Sequence, residues 1–414
     1  MSLKSTIASP VNQVAFFLFV LLCFYMPVVY LPYDKNCFQT WCLYIFENGL
    51  TQAYHCPDPE MNYPPLMCYM LWLFGKFQGS HEHIVNYFQF FKAYGLLFDF
   101  AGALLVLRLV NNKKLEILFL LLLIANPIFI YNSYLWGQLD SILAFFAFAS
   151  LYFLMKENLL AGSVCFLLIL NLKPQAIVFA PPLLLLSISQ FYGKITWRKI
   201  ATTVLACVFI QLALLLPFIL KGEMSGIINV YLHAVGYHPK ISVAAFNAWV
   251  FLLGKGCFDM SDEIKFGLFS YKQFGFLLFF VASILALLPL FLVTLSKFFF
   301  RGKFILTNNL ALLSFALIPL LFFFFNTEMH ERYSHPAMIF IAAYSFRTKR
   351  VFLFLLFCFA YFCNMEPRLY GLGFPNYNIL IFDPYFVASL FAMLIALLYF
   401  FLYQDFFKNR IQLS

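Results

Sequence analysis

The densest group of ionisable side chains in the sequence follows a run of phenylalanines. In residues 322–340, FFFFNTEMHERYSHPAMIF, the residues His330, Glu331 and Arg332 stand next to one another. Imidazole and guanidinium groups are donors suited to a phosphate that gains charge as a bond breaks. Glu331 either orients Arg332 or acts as a second acid. The alternative is a solvated loop with local ion pairs, and the pattern favours an anion-binding role.

Two aspartates stand where a carboxylate could act as a general base. Asp34 lies in PYDKNCFQTWC and Asp140 lies in WGQLDS, each near the start of an expected helix. A carboxylate can accept a hydroxyl proton in a transfer reaction, but Asp is also a common helix cap, so both roles stay open. Gln138 and Asp140 could instead hold substrate hydroxyls. Asp58 and Glu60 are competing bases.

Three further charged residues interrupt apolar runs. Lys173, in LNLKPQA, stands between two such runs and must pair or reach water. Its ammonium is suited to a phosphate, and snorkelling to the membrane interface is the alternative. Lys92 and Asp99 lie seven residues apart within one apolar run and therefore on one helix face. For these two, a structural role and a binding role both stay open.

The composition decides what kind of protein must position these groups. Of 414 residues, 63% are hydrophobic, 21% aromatic and only 11% charged, with a mean hydropathy of +0.85. A soluble domain cannot carry this composition on its surface. We therefore expect an all-α polytopic membrane protein, 1–414 forming a single domain. The net charge of +9 reflects Lys and Arg kept on the cytoplasmic side and does not indicate nucleic-acid binding.

Apolar runs of spanning or near-spanning length predict about 12 transmembrane helices. They occur at 15–31, 84–110, 116–134, 140–155, 159–172, 174–191, 199–220, 274–296, 305–325, 334–346, 351–364 and 383–404. With a cytoplasmic N-terminus, every basic cluster falls on the cytoplasmic side, as the positive-inside rule requires. Both termini are then cytoplasmic, and the first run is a retained helix and not a cleaved signal peptide.

This topology places the polar motifs on the non-cytoplasmic side. Residues 32–83 form a long first outer loop, in which Phe38, Trp41 and Ile45 recur at helical spacing and predict an interfacial helix. The run 66–77 is too short to span the membrane and predicts a second interfacial or re-entrant helix. The same face receives NTEMHERYSHP and NMEPRLYG. We therefore expect a single site on this face.

Neither the histidines nor the cysteines predict a metal. His55, His233 and His238 lie in outer loops without the three- or four-residue spacing of a helical metal site, and no cysteine pair shows zinc-type spacing. We expect no metal and no cofactor. Cys37 and Cys42 share the first outer loop with Cys56, so a disulfide there stays open if that side is oxidising.

Taken in order, an outer-loop Asp with an aromatic-rich helix, YPPL, WGQLDS, LKPQ, AFNAW and MHERY resemble motifs of a known superfamily. Residues 33–333 are similar to the multi-spanning glycosyltransferases of the GT-C superfamily, and most similar to GPI-mannosyltransferase-like proteins and their Dol-P-sugar-dependent relatives. The resemblance implies transfer of one hexose, mannose favoured, from a polyprenyl- or dolichyl-phosphate donor on the non-cytoplasmic face. VAAFNAW departs from the pattern because it lacks an asparagine before AFN.

The resemblance also implies roles for individual residues. Asp34 takes the position of the general base of an inverting transfer, with Asp140 and Glu331 as the alternative carboxylates. Three residues are implied to bind the donor phosphate: Lys173, His330 and Arg332. The expected substrate contacts are Tyr63, Gln138, Gln175, Asn247 and Trp249. For Asn247 and Trp249, contact with sugar or lipid and anchoring at the membrane interface stay open.

Two other classes of protein compete with this hypothesis. A secondary transporter also has about 12 spans, but it places polar groups near the bilayer midplane and often has repeated halves. A lipid-handling or scaffold protein without chemistry would tolerate any replacement of Asp34. The partners expected of the transferase are the lipid-linked donor, membrane lipid, and a glycolipid, oligosaccharide or protein acceptor. The sequence is compatible with a bacterial inner membrane or the endoplasmic reticulum membrane.

Overall fold

Helices make up most of the chain, as its composition predicts. The structure, a computed structural model, describes residues 9–28, 32–299 and 304–409. Within these residues the α-helices are α1 Pro10–Phe24, α2 Pro32–Asn48, α3 Pro65–Gln78, α4 His81–Tyr87, α5 Lys92–Val110, α6 Glu116–Ile124, α7 Pro127–Phe129, α8 Asp140–Met155, α9 Leu159–Leu170, α10 Ala180–Phe191, α11 Trp197–Lys221, α12 Met224–Leu232, α13 Ala248–Leu253, α14 Tyr271–Phe299, α15 Asn308–Phe325, α16 Met338–Thr348, α17 Val351–Leu369 and α18 Pro384–Lys408.

Short 3₁₀-helices connect or extend several of these helices. They cover Leu50–His55, Phe88–Phe91, Pro174–Phe179, Gly254–Phe258, His335–Ala337 and Leu380–Phe382. Strands β1 Lys265–Phe266 and β2 Phe269–Ser270 pair antiparallel in a small hairpin, with Lys265 opposite Ser270. The described part of the chain is thus an all-α architecture with one minor hairpin.

Seven described helices are long and apolar enough to cross a bilayer. They are His81–Val110, Pro174–Phe191, Trp197–Lys221, Tyr271–Phe299, Asn308–Phe325, Val351–Leu369 and Pro384–Lys408. The pair Glu116–Ile124 and Pro127–Trp136, bent by 41°, makes an eighth if it counts as one span. The protein is therefore membrane-embedded and multi-pass.

The remaining predicted spans correspond to shorter helices. The run 15–31 becomes α1 of 15 residues, and its end at 29–31 lies outside the described residues. The runs 140–155 and 159–172 become helices of 16 and 12 residues, and 334–346 becomes a 3₁₀ turn followed by the 11-residue α16. By length and composition the structure thus supports seven or eight spans, fewer than the 12 predicted.

The centre of the bundle is α15. Of its 18 residues, 14 are buried, because it is apolar on every side and packs against α14, α16 and α18. It delivers the segment 326–333, which carries the MHERY motif, to one end of the bundle. The hydrophobic wall that precedes this motif in the sequence is therefore the core of the protein.

The break between α6 and α7 has a local cause. The side chain of Asn126 accepts a hydrogen bond from the backbone N–H of Phe129 at 3.1 Å and caps the new helix, while Pro127 has no N–H to continue the old one. The chain then forms a π-helix, Ile130–Trp136, that ends at Gly137 with a φ of 81°. Such π-turns are common at functional sites, and this one delivers Trp136.

The first predicted outer loop contains two packed helices. Within α2, Phe38, Trp41, Cys42 and Ile45 are buried, and the helix packs against α3. Helix α3 begins at Pro65, close to the predicted start. All ten cysteines lie in the described residues, and none of them forms a disulfide, the three of this region included.

Candidate active site

A cavity of about 1160 Å³ opens at the end of the bundle to which the polar motifs converge. Its walls come from the start of α2, residues 54–63, Trp136, residues 173–175, α12 with the following segment to 243, the start of α14, residues 326–333 and Arg368. The volume slightly exceeds the range of about 300–1000 Å³ typical of small-molecule sites. The cavity is therefore large enough to hold parts of two ligands at the same time.

Seven of the 11 predicted site residues line this cavity. They are Asp34, Tyr63, Lys173, Gln175, His330, Glu331 and Arg332. These positions are up to 298 residues apart in the chain, since 332 minus 34 is 298. The fold therefore brings the first outer-loop motif, LKPQ and MHERY to one place.

Asp34 faces the cavity and is held by a tryptophan. The indole N–H of Trp136 donates to Oδ2 of Asp34 at 2.7 Å. Asp34 occupies the first turn of α2, where a carboxylate also favours the helix dipole. The hydrogen bond from Trp136 fixes the direction of the carboxylate, so this acid is oriented by a second element and not by its own helix alone.

Trp136 is in turn positioned by a buried lysine. The ammonium of Lys92 donates to the backbone carbonyls of Pro27 at 2.6 Å, Tyr134 at 3.0 Å and Leu135 at 3.1 Å. The first carbonyl belongs to the segment after α1, and the other two belong to the π-helix that ends at Trp136. Lys92 therefore holds main-chain groups beside the site, which is the structural role left open by the sequence.

Arg332 contacts three groups of the site at once. Its guanidinium carbon lies 4.6 Å from the ring centre of Trp136, its Nη1 lies 3.3 Å from Oε1 of Glu331, and its Nε lies 3.5 Å from Oδ2 of Asp140. Cation–π and ionic contacts of this kind hold a planar guanidinium in a fixed orientation. Arg332 is 8% exposed and reaches the cavity with that orientation already set.

Asp140 and Lys173 form a buried ion pair behind the cavity wall. The Lys173 ammonium donates to Oδ1 of Asp140, and both side chains are less than 10% exposed. The ammonium also lies 5.8 Å from the ring centre of Tyr63. Asp140 is not the N-cap of α8, since that position is Leu139 and carries no side-chain cap bond. The carboxylate instead balances the two cations of the site.

The pKa values of the cavity residues follow from their burial. Burial raises the pKa of Glu331, an effect that the neighbouring Arg332 opposes. Burial also lowers the pKa of His330 well below its usual value, and the positive charges of Arg332 and Lys173 act in the same direction. We conclude that His330 is a neutral imidazole that can donate one hydrogen bond. Burial raises the pKa of Tyr333 to about 12, so it stays a phenol.

Gln138 lies behind the cavity and not on it. It is 1% exposed, and neither its amide nitrogen nor its amide oxygen has a hydrogen-bond partner among the described residues. Both ring nitrogens of the fully buried His335, and the hydroxyl of Ser334, are likewise without one. Buried polar groups of this kind are usually satisfied by water, so the wall behind Asp140 is polar and not apolar.

Asn247 and Trp249 are not brought to the cavity. The Asn247 amide donates to the carbonyl of Phe323 at 3.1 Å, and the Trp249 indole donates to those of Phe325 and Asn326 at 3.1 and 3.2 Å. Both side chains are buried. They bind the last carbonyls of α15, which have no partner within their own helix. In the structure they hold the end of α15, and the predicted contacts with sugar or lipid stay a prediction.

The other acids and histidines noted in the sequence take separate positions. Glu60 lines the cavity, whereas Asp58 does not. His55 bonds Glu223 at 2.6 Å at the cavity edge. Glu328 accepts from the backbone N–H groups of Gly236 and His238 and from the Lys272 ammonium at 2.8 Å, and thereby attaches the segment after α12 to the MHERY segment. Among the described residues, no group of three or more His, Cys, Asp or Glu side chains is arranged to hold a metal ion.

Comparison with known proteins adds no assignment. No protein-family model matches the chain, and no curated protein gives a significant match. What can be said of function therefore rests on the geometry of the cavity and on the motifs that converge there.

Proposed function

We propose that the protein is a glycosyltransferase of the GT-C type. It transfers a single hexose, mannose favoured, from a polyprenyl- or dolichyl-phosphate donor to an acceptor hydroxyl on the non-cytoplasmic face of the membrane. The proposal includes about 12 membrane crossings with both termini cytoplasmic, with the short helices α8 and α9 counted among them. In this topology, residues 32–83 lie on the same side of the membrane as the cavity.

One observation carries the proposal: a carboxylate oriented by a second element faces a cavity that also contains cations. Asp34 receives the indole N–H of Trp136, and the guanidinium of Arg332 lies over the same indole ring. The rigid indole thus holds the base at its N–H edge and the cation over its face. Transfer from a lipid phosphate needs these two components, one for the proton and one for the developing negative charge.

The reaction follows from this arrangement. Asp34 accepts the proton of the acceptor hydroxyl as its oxygen attacks the anomeric carbon of the donor. The new bond joins acceptor oxygen and anomeric carbon, and the bond between that carbon and the phosphate oxygen breaks. The electron pair leaves with the lipid phosphate, which Lys173, His330 and Arg332 stabilise. Attack opposite to the leaving group inverts the configuration at the anomeric carbon.

The two alternative carboxylates are less suited to the proton. Asp140 accepts from Lys173 and lies behind the cavity wall at 3% exposure. Glu331 is 1% exposed, and its Oε1 lies 3.3 Å from Arg332. Asp34 differs from both because no cation is hydrogen-bonded to it among the described residues. Its charge is therefore the one available to a substrate hydroxyl.

The test is transfer by the purified protein in lipid nanodiscs. A panel of polyprenyl-phosphate hexoses with radiolabelled sugar is offered together with a total lipid extract as acceptor. We expect label to move from one donor into an acceptor without added nucleotide sugar. No transfer from any donor by a well-folded protein would contradict the proposal.

A secondary transporter is the second candidate, and one observation favours it. Ser133 and His335 are buried between helices, Asp99 is half-buried, and each has at least one polar atom without a partner among the described residues. Polar groups within the helical bundle are typical of transport pathways. Uptake of a labelled sugar phosphate into proteoliposomes, with no covalent transfer, would support this alternative.

A further inference from the structure

The cations assigned to the phosphate by the sequence are already engaged by carboxylates. Lys173 is hydrogen-bonded to Asp140, and Arg332 lies close to both Glu331 and Asp140. Together with Asp34, this part of the cavity holds two cations and three carboxyl groups. A phosphate gains less net attraction from these two cations than from a cation without an acidic neighbour, because an acid lies close to each of them.

Arg368 is a cavity cation without such a partner. It is exposed, lines the cavity, and makes no hydrogen bond or salt bridge with any residue that the structure describes. The sequence placed it on the outer face in NMEPRLYG but gave it no role. Arginine is the side chain best matched to phosphate oxygens because its fork can donate two parallel hydrogen bonds.

The position of Arg368 beside the MHERY segment is fixed by the preceding turn of α17. Asn364 donates to the backbone carbonyl of Glu331 at 2.7 Å and accepts from the N–H of Phe246 at 2.8 Å. Arg368 is four residues later on the same helix and hence on the same face. One helical turn therefore separates Arg368 from the anchor that holds Glu331 and its neighbour His330.

The end of α17 that carries Arg368 is also rigid. Glu366 is fully buried and accepts hydrogen bonds from the hydroxyls of Tyr131 and Tyr377 and from the backbone N–H of Leu372. These bonds fix the chain reversal after the helix. Arg368 consequently projects from a supported turn, and a ligand that it binds does not have to order that turn.

The imidazoles next to Arg368 add donors without adding acids. His330 and His238 pack edge to face with ring centres 5.2 Å apart, and both line the cavity. Burial lowers the pKa of both, so each is a neutral donor. The nearby acids are offset: Glu328 is bound by Lys272, and Glu331 by Arg332. This part of the rim therefore combines the cation of Arg368 with two neutral hydrogen-bond donors.

We propose that Arg368, together with His330 and His238, forms the binding site for the phosphate group of the substrate at the cavity rim. This inference rests on the proposed function for its choice of a lipid phosphate, and it adds Arg368 to the cations that the proposed reaction uses. Lys173 and Arg332 stabilise the charge that develops as the bond breaks, whereas Arg368 binds the phosphate when the substrate enters. The ligand chemistry is a phosphate ester, carried either by a polyprenyl chain or by a free sugar.

The test compares Arg368→Gln with wild type in two binding measurements. Protein in nanodiscs is titrated with undecaprenyl phosphate and, as the uncharged control, with undecaprenol. In parallel, the melting temperature is recorded with increasing mannose 1-phosphate, since a ligand of the folded state raises it. Arg198→Gln, an exposed arginine at the start of α11, is the matched control.

We expect Arg368→Gln to lower the affinity for undecaprenyl phosphate about tenfold, the scale of one lost charge-assisted contact. Affinity for undecaprenol and the melting temperature without ligand stay unchanged, because Arg368 makes no hydrogen bond or salt bridge with the described residues of the ligand-free protein. Arg368→Lys keeps the positive charge but lacks the planar guanidinium that donates two parallel hydrogen bonds. We therefore expect an affinity between those of wild type and Arg368→Gln. Arg198→Gln behaves as wild type.

The remaining outcomes separate this inference from the proposed function. If wild type prefers the phosphate lipid and Arg368→Gln retains that preference, the rim site is wrong and the transferase proposal stands. If undecaprenyl phosphate binds no better than undecaprenol, but mannose 1-phosphate stabilises the protein only when Arg368 is present, the anion site is supported and the lipid donor is contradicted. If neither ligand distinguishes the variants from wild type, the rim site is overturned.

Discussion

Two buried acidic clusters of this protein differ in how completely their polar atoms are paired. At the end of α17, Glu366 accepts from Tyr131, Tyr377 and the N–H of Leu372, so both of its oxygens are satisfied by neutral donors. Behind the cavity, Oδ2 of Asp140 and Oε2 of Glu331 have no hydrogen-bond partner among the described residues.

The difference indicates which cluster is built for stability and which for a ligand. A saturated carboxylate has no capacity left and fastens the chain reversal after α17. The carboxylates beside the cavity keep oxygens that can accept a hydrogen bond from water or from a ligand in the cavity.

Asp34→Asn is expected to have the largest effect on activity. An amide cannot accept the proton of the acceptor hydroxyl, and loss of a general base typically lowers the rate by about 10²–10⁴-fold. The hydrogen bond from Trp136 can still reach the amide oxygen, so the melting temperature should stay near that of wild type. Sugar transfer and thermal unfolding are measured on the same preparation.

Asp58→Asn is the matched control for this variant, since it removes an acid of the same loop that does not line the cavity. Near-normal transfer by the control and loss of transfer in Asp34→Asn would show that the cavity carboxylate, and not any acid of this loop, is needed for transfer. Full activity of Asp34→Asn would move the base to Asp140 or Glu331.

Asp140→Asn is expected to cost stability as well as activity. Removing one partner of a buried ion pair leaves the other charge uncompensated, which typically costs about 3–5 kcal/mol. Here the Lys173 ammonium would lose its carboxylate in a site where it is only 7% exposed on the side chain. Chemical unfolding in detergent measures the loss. An unchanged free energy of unfolding would show that water already compensates this pair.

Glu366→Gln tests whether the fully hydrogen-bonded cluster at the end of α17 serves stability. The variant replaces charged acceptors by a neutral amide, and we expect a loss of about 1–3 kcal/mol in the free energy of unfolding. Transfer by the folded fraction should fall far less than in Asp34→Asn. If Glu366→Gln abolished transfer while the protein stayed stable, the assignment of Glu366 to structure would be wrong.

Trp136→Phe is expected to have a smaller effect on transfer. Phenylalanine keeps an aromatic face for Arg332 but lacks the N–H that orients Asp34. We expect kcat to fall about tenfold, the equivalent of one hydrogen bond, with little change in KM because donor binding does not use that N–H. A rise in KM with kcat unchanged would show that Trp136 contacts substrate instead of positioning the base.

These predictions rest on a site that the sequence located only in part. Asp34, Lys173, His330, Glu331 and Arg332 were identified because ionisable side chains beside apolar runs must pair or bind something. Their convergence followed from the alternation of basic clusters along the chain. The number of spans was harder to predict from the sequence. Short apolar runs such as 334–346 can form buried helices of half the spanning length as readily as they form membrane spans.

Other parts of the site depend on contacts that no local pattern encodes. The role of Trp136 requires the π-helix after Pro127 and the ammonium of Lys92 beneath it. Asn247 and Trp249 looked like ligand contacts because amide and indole groups suit sugars, yet the same groups suit the unpaired carbonyls of a helix end. Arg368 was visible in NMEPRLYG, but its place in the cavity wall depends on packing between distant segments, including the bond from Asn364 to Glu331.

The measurement that tests the central claim most directly is the stereochemistry of a single turnover. Wild-type protein in nanodiscs is given a polyprenyl-phosphate hexose of known anomeric configuration, and the anomeric proton coupling of the product is read by NMR. Direct displacement with Asp34 as base predicts a product of inverted configuration. A product of retained configuration would contradict the account, because it requires a covalent intermediate and a nucleophile in place of a base.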